Sequence, residues 1–210
     1  MPFDAVSLRI GVVILAAGAS SRMGQPKLLL SWNDTSVLGH LLNQWRRLRA
    51  QQIAVVAAPD DKALARELEQ LHAFDVFRLI NPHPDQGMFS SIKAAAAWSG
   101  WSPAITHWVL SLGDQPQVHA KTLERLLAEG RKRPEWIWQP ARHGRPRHPA
   151  LVPLPHFRRL ATATEENLKQ FLATHSETRH VFESDDDGLD IDLDYPADYE
   201  RARELARARN

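Results

Sequence analysis

One stretch constrains the fold more than any other: Ile10 to Leu30, IGVVILAAGASSRMGQPKLLL. It opens with the apolar run Ile10–Leu15, which is too short and too β-branched for a free-standing helix. Such a run predicts a strand buried on both faces, as in the middle of a parallel sheet. Ala16, Ala17, Gly18, Ala19 and Ser20 follow, and residues this small let a ligand approach the backbone closely. Successive main-chain N–H groups in such a turn cradle phosphate oxygens, while Arg22 and Lys27 supply the neutralising charge. The outline is that of a nucleotide site. It is neither a Walker A loop nor the dinucleotide fingerprint, because neither glycine pattern is present.

The rest of the chain alternates between strand and helix patterns. Ser36–Arg49 has helical spacing with Ser36 as N-cap, and Asp61–Leu71 predicts a second helix. Gln52–Ala58 and Asp75–Ile80 predict strands, and Trp108–Leu112 a fourth apolar run followed by a helix over Val118–Leu127. Pro134–Ala141 reads as a fifth strand, Pro155–Leu160 and Glu165–Thr174 as helices, His180–Glu183 as a strand, and Pro196–Arg209 as the final helix. Alternation of this kind predicts an α/β fold with a mostly parallel central sheet and helices on both faces. No linker, repeat or low-complexity segment interrupts it, so residues 1–210 are expected to form a single domain.

Composition excludes several function classes. Hydrophobic residues make up 43% and charged residues 24%, the balance of a soluble globular chain. The 26 basic and 25 acidic side chains leave a net charge of +1, which gives no support for nucleic-acid or membrane binding. No cysteine is present, so disulfides and thiolate metal sites are excluded, and a reducing cytoplasm is compatible with the sequence. Arg9 and the apolar run mimic a secretory leader, but Asp4 and the single preceding basic residue argue against one. No stretch approaches the ~20 apolar residues that span a bilayer.

Further candidate site residues lie in the loops. Asn81–Ser91 is broken by Pro82 and Pro84, and the helix expected from Ser90 to Trp98 would present free N–H groups and the Ser90 and Ser91 hydroxyls to an anion or base edge. The fourth strand ends at Gly113-Asp114-Gln115-Pro116. A carboxylate there is either a turn cap or a cation ligand at the end of a central strand. Arg142, Arg145 and Arg147 form a basic turn, readable as a solvated loop or as a contact for an anionic acceptor. Asp185, Asp186 and Asp187 read mostly as solvated loop charges. Leu189–Leu193 alternates, which predicts a strand with Asp190, Asp192 and Asp194 on one face. Three such carboxylates repel unless a cation or arginines lie nearby.

Leu15-Ala16-Ala17-Gly18, Ser20, Arg22-Met23-Gly24 and Lys27 together spell LAAG-x-S-x-R-M-G-x-x-K. This resembles the signature of nucleotidyltransferases of the molybdopterin-nucleotide-synthesis type, and within them the molybdenum cofactor cytidylyltransferases. Gly87-Met88 with Ser90-Ser91, the Gly113–Pro116 segment, and Asp192–Tyr199 resemble three further signatures of the same family. Two departures stand out: Arg147 where a glycine is usual before His148-Pro149, and Tyr195 where threonine is usual.

The resemblance implies a Rossmann-like, three-layer α/β/α fold of the nucleotide-diphospho-sugar transferase type. It implies nucleotide contacts from Leu15, Ala16, Ala17, Gly18, Ser20, Gly87, Ser90 and Ser91. Arg22 and Lys27 would lie on the β- and γ-phosphates, and Mg²⁺ on Asp114 and Asp192. Family members with LAAG use CTP, whereas LAGG accompanies guanylyl transfer, so Ala17 implies CTP. The implied acceptor is the molybdenum–molybdopterin cofactor, with a molybdenum hydroxylase apoenzyme as a further partner and the cytoplasm as location. Two rival readings accompany it. One is cytidylyl, uridylyl or guanylyl transfer to another phosphorylated acceptor; the other is a non-catalytic carrier of the cofactor.

Overall fold

β1 (Ile10–Leu15) is buried along its whole length, as its composition predicts. The computed structural model describes residues 8–18 and 22–209. After β1, a 3₁₀ turn at Lys27–Leu29 leads into a small ribbon of β2 (Ser31–Trp32) and β3 (Thr35–Ser36). α1 (Val37–Arg47) starts where the Ser36 hydroxyl accepts from Gly39 N at 3.0 Å, satisfying a donor that the helix itself leaves unpaired. β4 (Gln52–Ala57), α2 (Lys62–Gln70, capped by Asp61) and β5 (Val76–Ile80) follow. Next come α3 (Met88–Ala97), β6 (His107–Leu112), α4 (Ala120–Lys132) and β7 (Ile137–Arg142). β8 (Arg145–Pro146), β9 (Ala150–Pro153), α5 (Leu154–Leu160), α6 (Leu168–Ala173), β10 (Arg179–Glu183) and α7 (Pro196–Arg207) complete the order.

The main sheet runs β10-β7-β9-β6-β1-β4-β5, with β8 beside β7. β1 pairs in parallel with β4 on one side and β6 on the other, and the β4–β5 and β7–β10 pairs are also parallel. β9 alone reverses among the interior strands, pairing antiparallel with β6 and β7. The chain leaves β1 toward β4 and β5, then returns to place β6 on β1's other side. The carboxyl ends of β1 and β6 therefore flank a topological switch point, where open α/β sheets form a ligand crevice.

Side-chain alternation along β1 divides the core into two layers. Ile10, Val12 and Ile14 join a cluster with Leu38, Leu42 and Trp45 of α1, Leu126 of α4 and Ala202 of α7. Val13 and Leu15 face the other way, toward Ile92 of α3, Phe157 of α5 and Phe171 of α6. The three-layer α/β/α arrangement follows from that split.

Three expectations are corrected. β9 is a strand where none was anticipated; only four residues long, preceded by Pro149 and ending in Pro153, it carries little periodicity of its own. α3 begins at Met88 rather than Ser90, because Gly87 takes φ 83°, a left-handed conformation that turns the chain directly into the helix. The acidic segment forms no ladder strand. Asp186 accepts from Gly188 N and starts a 3₁₀ turn over Asp187–Asp190, after which the chain runs extended. Leu189, Ile191 and Leu193 are buried as the alternation predicts. The 3₁₀ turn, however, rotates Asp190 away from Asp192 and Asp194, so the three do not share a strand face.

Candidate active site

The crevice at the switch point is closed at its floor by backbone. Gly113 N donates to Leu15 O at 3.0 Å, joining the ends of β6 and β1. A Cβ at Gly113 would lie 2.7 Å from that same carbonyl oxygen, so the approach requires glycine. Ala16 is buried and its N–H donates to Val56 O, whereas Gly18 is exposed with open space around it. Leu15, Ala16, Gly18, Lys27, Gly113 and Asp114 line a small pocket at this floor. Gly18 also borders a wider cleft of about 780 Å³, walled by Ala17, Gly24, Pro59, Asp60, Pro84 and Asp85. That size lies within the range of small-molecule sites. Ser20 lies outside the described residues.

The charged groups are held by packing of their neighbours. Buried Met23 and Leu28 anchor the segment that carries Arg22 and Lys27. Lys27 Nζ lies 2.6 Å from Asp194 Oδ1 and 3.3 Å from Asp114 Oδ2. Arg22 Nη1 lies 2.8 Å from Asp194 Oδ2, and its guanidinium rests over the Tyr195 ring at 5.7 Å. Burial opposes the Lys27 ammonium, but the hydrogen bond to Asp194 and the charges of Asp114 and Asp194 outweigh it, raising its pKa. The hydrogen bond from Lys27 holds the Asp194 carboxyl below its ordinary range, with further help from the Lys27 and Arg22 charges.

Asp192 is different. Its side chain reaches solvent, yet other acidic groups lie close by. The surrounding protein withdraws water and pushes its carboxyl up, and the charges of Asp114 and Asp194 add to the rise. Gln115 Nε2 donates to Asp192 Oδ1 at 2.9 Å, and Leu193 N donates to Asp114 O at 3.1 Å, so the two acidic segments are tied together. The donor set fits a hard divalent cation, whose charge would relieve the repulsion on Asp192. Among the described residues no three acidic or histidine side chains form a ready-made cage.

The second loop is built differently from expectation. Asn81, buried at the end of β5, donates from Nδ2 to the Ser90 and Ser91 hydroxyls at 2.7 and 3.0 Å, while its Oδ1 accepts from His83 N. Ser90 Oγ donates within the same loop, and Ser91 is buried. These hydroxyls brace the Pro84–Gly87 wall of the cleft instead of standing free. Asn81 was not anticipated; its one signal is an amide side chain at a strand's carboxyl end, just before Pro82. Asp186 is a further correction. Far from being a solvated loop charge, it is buried and accepts from His119 N, Thr122 Oγ1 and Gly188 N, with Arg209 Nη2 at 2.8 Å. A separate cavity of about 510 Å³, near Trp32, His40 and Arg47, contains none of the predicted site residues.

Across the sheet, at the carboxyl end of β7, Arg142 and Arg147 do not form an open basic loop. Arg142 Nε donates to Asp190 Oδ2 at 3.1 Å and its Nη2 pairs with Asp187; Arg147 Nε donates to Asp190 Oδ1 at 2.6 Å. Arg145 is exposed.

The chain is similar to known proteins in both sequence and fold. The molybdenum cofactor cytidylyltransferase of Escherichia coli (strain K12) is 27% identical over 198 residues, covering 93% of this chain and 96% of that protein. The crystal structure of Rv0371c from Mycobacterium tuberculosis H37Rv is 27% identical with a TM-score of 0.73, covering 94% of this chain and 99% of its own. A complex of Rv0371c with manganese gives 28% identity and a TM-score of 0.68, over 93% and 98% of the two chains. A nucleotidyl transferase from Methanothermobacter thermautotroptrophicus, 21% identical with a TM-score of 0.76 over 96% and 99%, shares the fold. Residues 12–180 match the MobA-like NTP transferase domain. The matched residues begin inside β1 and end inside β10, so they reach every strand of the main sheet, and the chain belongs to the MobA-like NTP transferase family of nucleotidyltransferases.

Proposed function

We propose that this nucleotidyltransferase works as one domain and transfers CMP from CTP to the molybdenum–molybdopterin cofactor, with Mg²⁺ as its metal and pyrophosphate as the leaving group. The observation that carries the reading is the position of Lys27, whose ammonium lies between the carboxylates of Asp114 and Asp194 at the mouth of the switch-point cleft. A cation and carboxylates concentrated beside an open, small-residue turn suit a triphosphate and its metal. The E. coli relative, named for this reaction, and the manganese complex of Rv0371c support the choice of acceptor and of a divalent cation.

Phosphoryl-type transfer asks for positioning and charge neutralisation more than covalent chemistry. Arg22 and Lys27 would exchange their present partner Asp194 for the β- and γ-phosphates and stabilise the departing pyrophosphate. The Ala16–Gly18 backbone would receive the nucleotide close to the end of β1, where the Ala17 Cβ narrows the space available to a purine. Asp114 and Asp192 would hold the divalent cation, which when bound neutralises charge on the α-phosphate. The acceptor's phosphate is anionic already, so no side chain is needed to remove a proton from it.

The test is pyrophosphate release with CTP, Mg²⁺ and the molybdenum cofactor, run beside GTP and beside sugar phosphates. Release with CTP and the cofactor alone is the expected result. Turnover confined to a sugar phosphate would overturn the acceptor, preference for GTP would overturn the Ala17 reasoning, and tight cofactor binding without turnover would favour a carrier.

A further inference from the structure

The sheet order places two basic groups on opposite sides of Asp114. Arg22 and Lys27 lie beyond β1, and Arg142 and Arg147 lie at the end of β7 and in the turn beyond β8. β9 alone separates β6 from β7, so the β7 end is two strand spacings, about 10 Å, from the β6 end. In phosphoryl-type transfer the attacking and leaving oxygens lie roughly in line. With pyrophosphate departing toward Arg22 and Lys27, the acceptor approaches from the β7 side. What it meets there is an anion site that the chain itself fills. The Asp190 carboxylate accepts from Arg142 Nε at 3.1 Å through one oxygen and from Arg147 Nε at 2.6 Å through the other. A carboxylate held between two guanidinium groups uses the donors that would grip a phosphate.

We propose that Asp190 is an internal competitor for the acceptor: its carboxylate occupies a two-arginine anion site that a phosphate-bearing acceptor takes over, displacing the Asp187–Asp190 turn. The inference rests on the nucleotidyl-transfer reading for its substrate class. Displacement has a consequence for the metal side of the cleft, because Asp190 lies only two positions before Asp192, which Gln115 ties to the β6 loop. Acceptor binding would thereby move the segment that carries Asp192. Asp187, paired with Arg142, is the second acidic group to be released.

The experiment has two arms. In turnover with CTP and the molybdenum cofactor, Asp190→Asn should lower the acceptor KM by roughly five-fold, since the two ion pairs it loses are part-exposed and the asparagine oxygen still accepts a hydrogen bond, and leave the KM for CTP unmoved. Arg147→Ala should raise the acceptor KM, and Arg147→Lys should recover only part of it, since a lysine lacks the planar fork. In the second arm, inorganic phosphate is titrated against the Nε–H signals of Arg142 and Arg147. Asp190→Asn should bring those signals to saturation at roughly five-fold lower phosphate. An acceptor KM or phosphate affinity that stays put or worsens in Asp190→Asn would make the residue a brace and overturn the proposal. The phosphate arm reads the competition without turnover, so a wrong acceptor assignment fails the first arm alone. Should Asp190→Asn not fold, Arg147→Ala decides: an unchanged acceptor KM and an unchanged phosphate titration at Arg142 would overturn the site.

Discussion

Replacing Lys27 by alanine should push two measurements in opposite directions. The ammonium sits 3.3 Å from Asp114 Oδ2 and 2.6 Å from Asp194 Oδ1, with only 14% of its side chain exposed. A pair of unit charges about 3.3 Å apart attracts by about 1 kcal/mol in a water-like medium and about 5 kcal/mol at the effective dielectric near a protein surface. Asp114 and Asp194 are 29% and 30% exposed, so solvent screening favours the lower part of that range. If Asp114 holds the divalent cation, as proposed, Lys27 competes with that cation when nucleotide is absent. Its loss should tighten Mn²⁺ binding by roughly five-fold, measured by electron paramagnetic resonance on the nucleotide-free protein. Turnover should move the other way, falling about 10²–10³-fold, because the leaving pyrophosphate loses its buried cation. Lys27→Arg should restore part of the rate and part of the competition. Weaker Mn²⁺ binding in Lys27→Ala, or a rate near that of the unmodified enzyme, would refute the assignment of one ammonium to both roles.

Gly113→Ala forces a Cβ against Leu15 O, a backbone atom that cannot swing aside, and should cost about 1–3 kcal/mol in denaturant unfolding along with a loss of turnover; unchanged stability would mean the β1 and β6 ends separate freely. Asp186→Ala removes a buried carboxylate from three donors and from Arg209, and should destabilise by about 3–5 kcal/mol, against less than about 1 kcal/mol if the acidic run were solvated. Asp194 has a folded pKa held below the ordinary 3.8, so the stability it contributes is complete above the unfolded value and is lost as pH falls through the folded one. Melting curves taken from about pH 5 down to about pH 2 should accordingly show a shallower acid loss in Asp194→Asn than in the unmodified protein; identical slopes would mean the Lys27 pairing does not persist in solution.

Local chemistry made much of the site legible. An apolar β-branched run followed by small residues has few structural uses, so Ile10–Gly18 announced both the central strand and the open turn. Gly113-Asp114 was readable for the same reason, being a strand ending in a residue with no Cβ and then in a charge. Partnerships across the chain were not readable. Nothing near Lys27 indicates Asp194, and nothing near Arg142 indicates Asp190, because those contacts are set by the order in which strands are laid into the sheet. The acidic segment shows how one pattern can be half informative. Its alternation correctly buried Leu189, Ile191 and Leu193. It misplaced Asp190 because alternation describes which side faces the core and not whether a neighbouring strand is there to keep the backbone flat. Asp186 went unnoticed since a run of three aspartates looks hydrated, and only folding brings Thr122 and Arg209 to the middle one.

The pairing of Lys27 with Asp194 spans 167 positions. During synthesis the lysine leaves the ribosome early, while its carboxylate partner emerges only after the last strand of the sheet has been made. A polypeptide that stops short of Asp194 keeps Met23 and Leu28 as anchors for the Arg22–Lys27 segment but lacks the carboxylate that both cations share. The two cations of the cleft therefore acquire their shared counter-ion only once nearly the whole chain has been made.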